Sequence, residues 1–312
     1  MNFFERFNLK LPLIQGGMAV GVSTATLAGA VAREGGIGII GATGMSCDEL
    51  KQEIRQARTL ANNGVIGVNI MFAIRNFGEL VKIAIQEKVD LIISGAGFSR
   101  DIFNWGREAD IPIVTIVSTS RLAQIAEKFG AAAVVAEGTE AGGHLGTDKS
   151  TYELIPEIKA SVKIPVIAAG GITDCISISE MMNLGADGVQ LGTRFVLSEE
   201  CTVAKSFKEY YLNAREEDVV IIKSPVGLPG RALKNVFSEA LGYRENHKHN
   251  CDHCLKVCSQ DYCILQALKN SRDGDLDQGI IFAGKNVFKI KEVLSVKKII
   301  ENFSQAFCIN TT

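Results

Sequence analysis

The chain has 312 residues, 46% hydrophobic and 22% charged, with a formal net charge of −2. That balance excludes disorder, collagen and a coiled coil as whole-chain readings, and without a basic block it argues against a nucleic-acid partner. No apolar run approaches the ~18 residues of a membrane helix, and the opening MNFFERFNLK lacks the order of a secretory signal, so a cytoplasmic protein with no membrane partner is expected, its cysteines thiols or metal ligands.

In chain order, short apolar runs fall at 12–15, 37–40, 65–70, 89–93, 111–117, 132–136, 164–169 and 187–191. Amphipathic stretches lie between them, for example at 47–61, 76–87, 119–129, 151–160 and 176–184. Apolar strands separated by helices imply a parallel sheet buried on both faces. Gly130-Ala131 and Gly185-Ala186 each open one strand, and Ile111-Pro112 and Ile164-Pro165 each open another, an echo spaced by two βα units. Eight strands with this echo predict an α/β fold of the closed (β/α)8 TIM barrel type, over residues 1–235. Residues 200–214 read as its last helix. A small appended carboxy-terminal helical, Cys-rich segment is expected over 236–312. Of 31 glycines, only six lie beyond residue 192, which marks the change in character.

The sole GxGxxG, Gly36 to Gly41, lies inside a strand rather than between strand and helix, so it reads as close packing and not as a dinucleotide fingerprint. The loops after the seventh and eighth strands carry Gly170-Gly171 and Gly192-Thr193. In barrel enzymes these loops often bind phosphate through backbone N–H groups, and glycine allows close approach. The loop after the sixth strand reads EGTEAGGHLG, with Glu137, Gly142, Gly143 and His144. An imidazole at the C-terminal end of a barrel strand suits proton transfer near neutral pH. Other strand ends bring Gln15, Gly16, Gly17, Met18, Asn69, Ser94, Gly95, Ser118 and Gln190, a polar rim suited to a heterocycle. Farther on, Cys251, Cys254, Cys258 and Cys263 stand at C-x2-C-x3-C-x4-C with His247, His249 and His253 beside them. That spacing makes Zn2+ or a [4Fe-4S] cluster the expected occupant.

Six segments, QGGMA (15–19), LAGAVAREGGIGIIG (27–41), GVNIM (67–71), AEGTEAGGHLG (136–146), PVIAAGGI (165–172) and GTRFV (192–196), together resemble the nitronate monooxygenase superfamily, which includes the enoyl-acyl-carrier-protein reductase II enzymes. The resemblance covers roughly residues 9–235. It implies FMN at the C-terminal mouth of the barrel. Gly170, Gly171, Gly192 and Thr193 would hold the phosphate, and Met18, Asn69, Glu137 and Gln190 would lie near the ring or ribityl chain. His144 would be the catalytic base or proton donor. A homodimer is the implied assembly. Gly16-Gly17, GVNIM and GTRFV lean toward the reductases, whereas the cysteine cluster is foreign to them.

The leading expectation is an FMN-dependent oxidoreductase that oxidises a nitronate or nitroalkane, a small-molecule substrate, with His144 moving the proton. The alternative is an enoyl-acyl-carrier-protein reductase of fatty acid synthesis with NAD(P)H as cosubstrate and an enoyl thioester as substrate. A non-enzymatic flavin- or metal-binding regulatory protein is the third.

Overall fold

A computed structural model describes residues 3–241, 251 and 253–308. Eight parallel strands close into a barrel: β1 (Leu13–Gln15), β2 (Ile37–Gly41), β3 (Val65–Met71), β4 (Leu91–Gly95), β5 (Ile113–Val117), β6 (Ala133–Glu137), β8 (Val166–Ala169) and β9 (Gly188–Leu191). Closure is made by β9 on β1, with Leu13 opposite Val189 and Gln15 opposite Leu191. The extra strand β7 (Gly143–His144) lies outside the barrel path. The eight sequence-predicted runs are the eight barrel strands.

Inside the barrel, Ile14, Ile37, Ile39, Leu91, Ile93, Val135 and Ile167 are fully buried. Phe3 and Phe4, edge to face at 5.1 Å, plug the N-terminal end. The outer layer begins with α1 (Ala25–Arg33) and α2 (Cys47–Ala61). Ser46 caps α2, its hydroxyl accepting from the Glu49 N–H while the Glu49 carboxylate accepts from the Ser46 N–H. Leu50, Ile54, Ala57 and Ala61 then recur at helical spacing on the buried face. The glycines of the GxGxxG are packing residues, because a Cβ on Gly38 would sit 1.9 Å from the Ala28 carbonyl oxygen. The ring continues through α3 (Phe77–Gln86), α4 (Arg100–Glu108), α5 (Ser120–Phe129), α6 (Thr151–Ser161) and α7 (Cys175–Asn183).

The eighth helical position is filled from far away. After β9 come the one-turn α8 (Thr193–Val196) and then α9 (Lys205–Asn213), the helix expected to finish the barrel. Instead α9 crosses the mouth, with Phe207 and Tyr211 facing the cavity beneath and the Tyr211 hydroxyl donating to the Phe282 carbonyl. The place between α7 and α1 is taken by α12 (Val296–Cys308), which buries Val296, Ile299, Ile300, Phe303 and Ala306. Two aromatic residues on one face of α9 suit the cavity roof, whereas α12 carries the longer aliphatic stripe an outer barrel helix needs.

Between α9 and α12 lies a small antiparallel sheet. Strands β10 (Val219–Lys223) and β11 (Pro229–Leu233) form a hairpin, and β12 (Ile281–Phe282) pairs with Ala232 and Leu233. The loop strand β7 joins the same edge of β11, with His144 opposite Gly230 and Gly143 opposite Arg231. Helices α10 (Val236–Ala240) and α11 (Ile264–Asp273) complete the cover. The pairing of β11 with β12 and the return of α12 to the barrel both cross residue 235. Among the described residues, no helix is long and apolar enough to cross a membrane.

Candidate active site

A cavity of about 590 Å³ opens at the C-terminal mouth of the barrel, a size suited to a cofactor or drug-sized ligand. Its wall contains His144 and all of Gly16, Gly17, Met18, Asn69, Glu137, Gly142, Gly143, Gly170, Gly171, Gln190, Gly192 and Thr193. The barrel brings them together because each follows or ends a strand, and all the strands point the same way. Gln15 and Ser94 turn away, Gln15 bonding Ser23 at 2.8 Å and Ser94 the Gly97 carbonyl at 2.8 Å. Ser118 is on the wall.

At one end, Gly170 and Gly171 hold φ of +106° and +74°, a region L side chains rarely adopt. A Cβ at Gly170 would lie 2.9 Å from Thr151 Oγ1, and one at Gly171 would lie 2.8 Å from the Glu140 Cβ. The amides of Gly171 and Ile172 have no backbone partner among the described residues. Asn286 Nδ2 donates to the Gly171 carbonyl at 2.7 Å, and Thr193 Oγ1 accepts from the Gly284 N–H at 3.0 Å, so the 284–286 turn braces both phosphate-type loops.

Deeper in, Gln190 Oε1 is buried without a hydrogen-bond partner. Glu137, at the end of β6, is pushed up to about 7 by burial. His144 is driven down to about 4, again by burial, so its imidazole is neutral at physiological pH. Its Nε2 lies 2.7 Å from Ser224 Oγ, and its ring meets the edge of Phe282 at 5.2 Å. No lysine or arginine among the described residues lines the cavity. The outer wall is apolar, with Val20, Phe98, Leu122, Val226, Leu228, Ile264, Leu265, Leu268 and Phe282.

Several of these residues were not legible as site residues: Ser224, Val226, Leu228, Phe282, Asn286 and the α11 leucines. They come from the glycine-poor region and carry no motif. The run SPVGLPG at 224–230 is the one turn-rich stretch among them.

The expected metal centre is corrected. Among the described residues no three His, Cys, Asp or Glu side chains form a group that could hold a metal ion. Cys251, Cys254, Cys258 and Cys263 are free thiols, each half-buried. The segment is instead laid along the mouth: Arg75 N–H donates to the Cys254 carbonyl at 2.9 Å, Lys256 N–H to Ala73 at 2.8 Å, and Ser259 N–H to Pro225 at 3.0 Å. Cys263 sits at the start of α11. His247 and His249 lie outside the described residues.

A parallel barrel with glycine loops after its last two strands and a histidine at its mouth fits the flavin-dependent oxidoreductase that the sequence resemblance implies, and comparison with known proteins agrees. A sequence model described as nitronate monooxygenase matches residues 2–79 and 65–306, so the chain belongs to the nitronate monooxygenase family. It is 31% identical to a probable nitronate monooxygenase of Staphylococcus aureus, covering 77% of this chain and 80% of that one. Another relative, at 30% identity over 78% of this chain and 68% of its own, is the (3aS,4S,5R,7aS)-5-hydroxy-7a-methyl-1-oxo-octahydro-1H-indene-4-carboxyl-CoA dehydrogenase of Rhodococcus jostii. Among solved structures, FabK of Thermotoga maritima, an enoyl-ACP reductase II, superposes with a TM-score of 0.89 at 34% identity, covering 98% of this chain and 95% of that one. The enzyme is thus an oxidoreductase of the flavin-dependent kind.

Proposed function

We propose that the cavity binds FMN and that the enzyme reduces the conjugated double bond of an uncharged acyl thioester, with NAD(P)H as the electron source. The observation that carries this reading is the cavity wall, apolar on its outer side and without a cation among the described residues. A nitronate anion would enter it without a counter-charge, at a desolvation cost. A neutral enoyl thioester would not, and its chain would bury against Leu265, Leu268 and Val226. The identity to FabK over nearly the whole chain and the acyl-CoA relative support the same substrate class.

The residues present fit FMN. The Gly170-Gly171 turn keeps a left-handed backbone packed against Thr151 and Glu140, where a Cβ would collide, and the amides of Gly171 and Ile172 are free to meet a phosphate. Gly192 and Thr193 would flank it. The unpartnered Gln190 oxygen suits a ring N–H, and Asn69, Met18 and Glu137 would line the ring and ribityl chain with Gly16, Gly17, Gly142 and Gly143 giving close approach. When bound, FMN supplies hydride transfer between the nicotinamide and the substrate's β-carbon. His144 then manages the proton. Neutral at rest, it takes up a proton from a water molecule at its cavity side as negative charge develops on the substrate, and hands it to the α-carbon. Phe282, Leu228 and Tyr211 exclude bulk water.

Oxidation of a nitronate or nitroalkane is the second reading, favoured by the family match and by the neutral imidazole, which is a base at physiological pH. Anaerobic mixing separates the two. Rapid flavin bleaching by NAD(P)H and reoxidation by an enoyl thioester support the first. Bleaching by nitronate with indifference to NAD(P)H overturns it. A homodimer in the cytoplasm belongs to the same proposal, and light scattering at about twice 33.6 kDa is the expected result.

A further inference from the structure

We propose that Thr151, backed by Glu140, is a positioning residue that aims the Gly171 amide at the flavin phosphate from behind the Gly170-Gly171 turn. This rests on the FMN site proposed above.

A phosphate bound at this turn would meet backbone N–H groups and, among the described residues, no lysine or arginine on the cavity wall. The direction of each amide therefore decides what the site can hold. The peptide joining Gly170 to Gly171 has no side chain on either side to restrict it, and glycine adopts many backbone conformations at little cost. Its orientation has to be set through its own carbonyl. No peptide bond among the described residues is cis, and in a trans peptide the C=O and N–H of one plane point opposite ways. Whatever holds the Gly170 oxygen thus turns the Gly171 N–H the other way.

Thr151 holds it. The Thr151 hydroxyl lies 3.1 Å from the Gly170 oxygen, 3.1 Å from the Ala169 oxygen and 3.0 Å from Glu140 Oε2. Two of these acceptors have another donor: Ala169 receives the Gly138 N–H at 3.0 Å, and Glu140 Oε2 the Thr151 N–H at 2.9 Å. The Gly170 oxygen has no other donor among the described residues. Thr151 is 1% exposed and stands behind the cavity wall, whereas Gly171 is on it. A Gly171 amide turned away from Thr151 therefore faces the cavity, and with no backbone partner it is left for the ligand.

Thr151 is itself clamped. It opens α6, and the Glu140 carboxylate, on a residue 9% exposed, grips its N–H. Gly138 presses from the other side, where a Cβ would come within 2.3 Å of the Thr151 nitrogen and hydroxyl. Glu140 packs its Cβ against Gly171, and its carbonyl accepts from the Lys285 N–H at 2.9 Å. The next peptide is held alike: Asn286 Nδ2, donating to the Gly171 oxygen at 2.7 Å, fixes the direction of the Ile172 amide.

The test compares FMN with riboflavin, which has the same ring and ribityl chain and no phosphate, by quenching of flavin fluorescence on flavin-stripped full-length protein. Bonds from two amides to a phosphate are charge-assisted and worth about tenfold each, so the wild type should bind FMN roughly a hundredfold tighter than riboflavin. Thr151→Val keeps the shape and removes the hydroxyl. It should cut that preference by about tenfold, with the riboflavin Kd within about twofold of wild type. Thr151→Ser should restore the preference. Glu140→Ala, which retains the Cβ beside Gly171, should lower it in the same direction, and carries the test if Thr151→Val does not fold. A preference unchanged in these variants overturns the proposal. So does an equal weakening of FMN and riboflavin, the mark of general damage to the cavity. A wild type that binds both flavins equally removes the phosphate site itself, and the role of Thr151 falls with that reading rather than by its own test.

Discussion

Glu137 and His144 face one cavity, and burial moves them in opposite directions, the acid up to about 7 and the base down to about 4. In flavin-free protein this has a measurable sign. An acid that titrates near 7 folded and at its ordinary 4.5 unfolded binds more protons in the fold between those values. It therefore costs stability as pH rises through that window, by roughly 3 kcal/mol once complete. His144 works the other way: unfolded it takes up protons below its ordinary 6.5, so its contribution is present above that value and lost as pH falls toward 4. The two nearly cancel in the wild type and are separated by replacing one. Glu137→Gln keeps the shape and removes the charge. It should stabilise the protein by under about 1 kcal/mol at pH 5 and by roughly 3 kcal/mol at pH 8. Urea denaturation at the two pH values measures it. A gain equal at both, or no gain, refutes the claim that Glu137 is a desolvated carboxyl facing the cavity.

Three other outcomes are expected. Gly171→Ala, forced to φ +74° with its Cβ against Glu140, should lose flavin on gel filtration while the wild type retains it. Phe303→Ala removes a buried anchor of the helix that completes the barrel, and should cost about 3–5 kcal/mol in urea denaturation. His144→Gln should keep the flavin spectrum and lower kcat about 10²- to 10⁴-fold; unchanged turnover would remove the histidine from the proton step.

The barrel was legible because its signal is local. Each strand is a short β-branched run bounded by turns, and each helix between them shows its own apolar stripe. The inner site was legible for a related reason: loops after parallel strands all emerge on one face, so Gly170, Gly192, His144 and Asn69 had to converge. The cover was not. Ser224 is an ordinary serine in a turn, and only the register of β11 against His144 brings it to the imidazole. The eighth helix was misplaced because α9 and α12 both read as amphipathic, and what decides between them is which face fits the gap between α7 and α1. The cysteine spacing is a local signal of a different kind: it permits a ligand set, and no metal-holding group is found among the described residues. Backbone bonds to residues 73, 75 and 225 hold the segment along the barrel mouth.

Because α12 returns to the gap beside α1, the stretch from residue 197 to residue 295 is an insertion between the last strand and its helix, anchored at both ends, rather than a tail. Two helices that touch in the finished wall, 25–33 and 296–308, lie at opposite extremes of the described sequence. Loop-closure entropy rises only slowly with length, so the equilibrium penalty is modest, but contacts this distant in sequence slow folding. A protease cut in the cover would leave both halves held by the barrel. The cavity's roof could then be exchanged between relatives as a cassette, altering what is admitted while the strands and their glycine loops stay as they are.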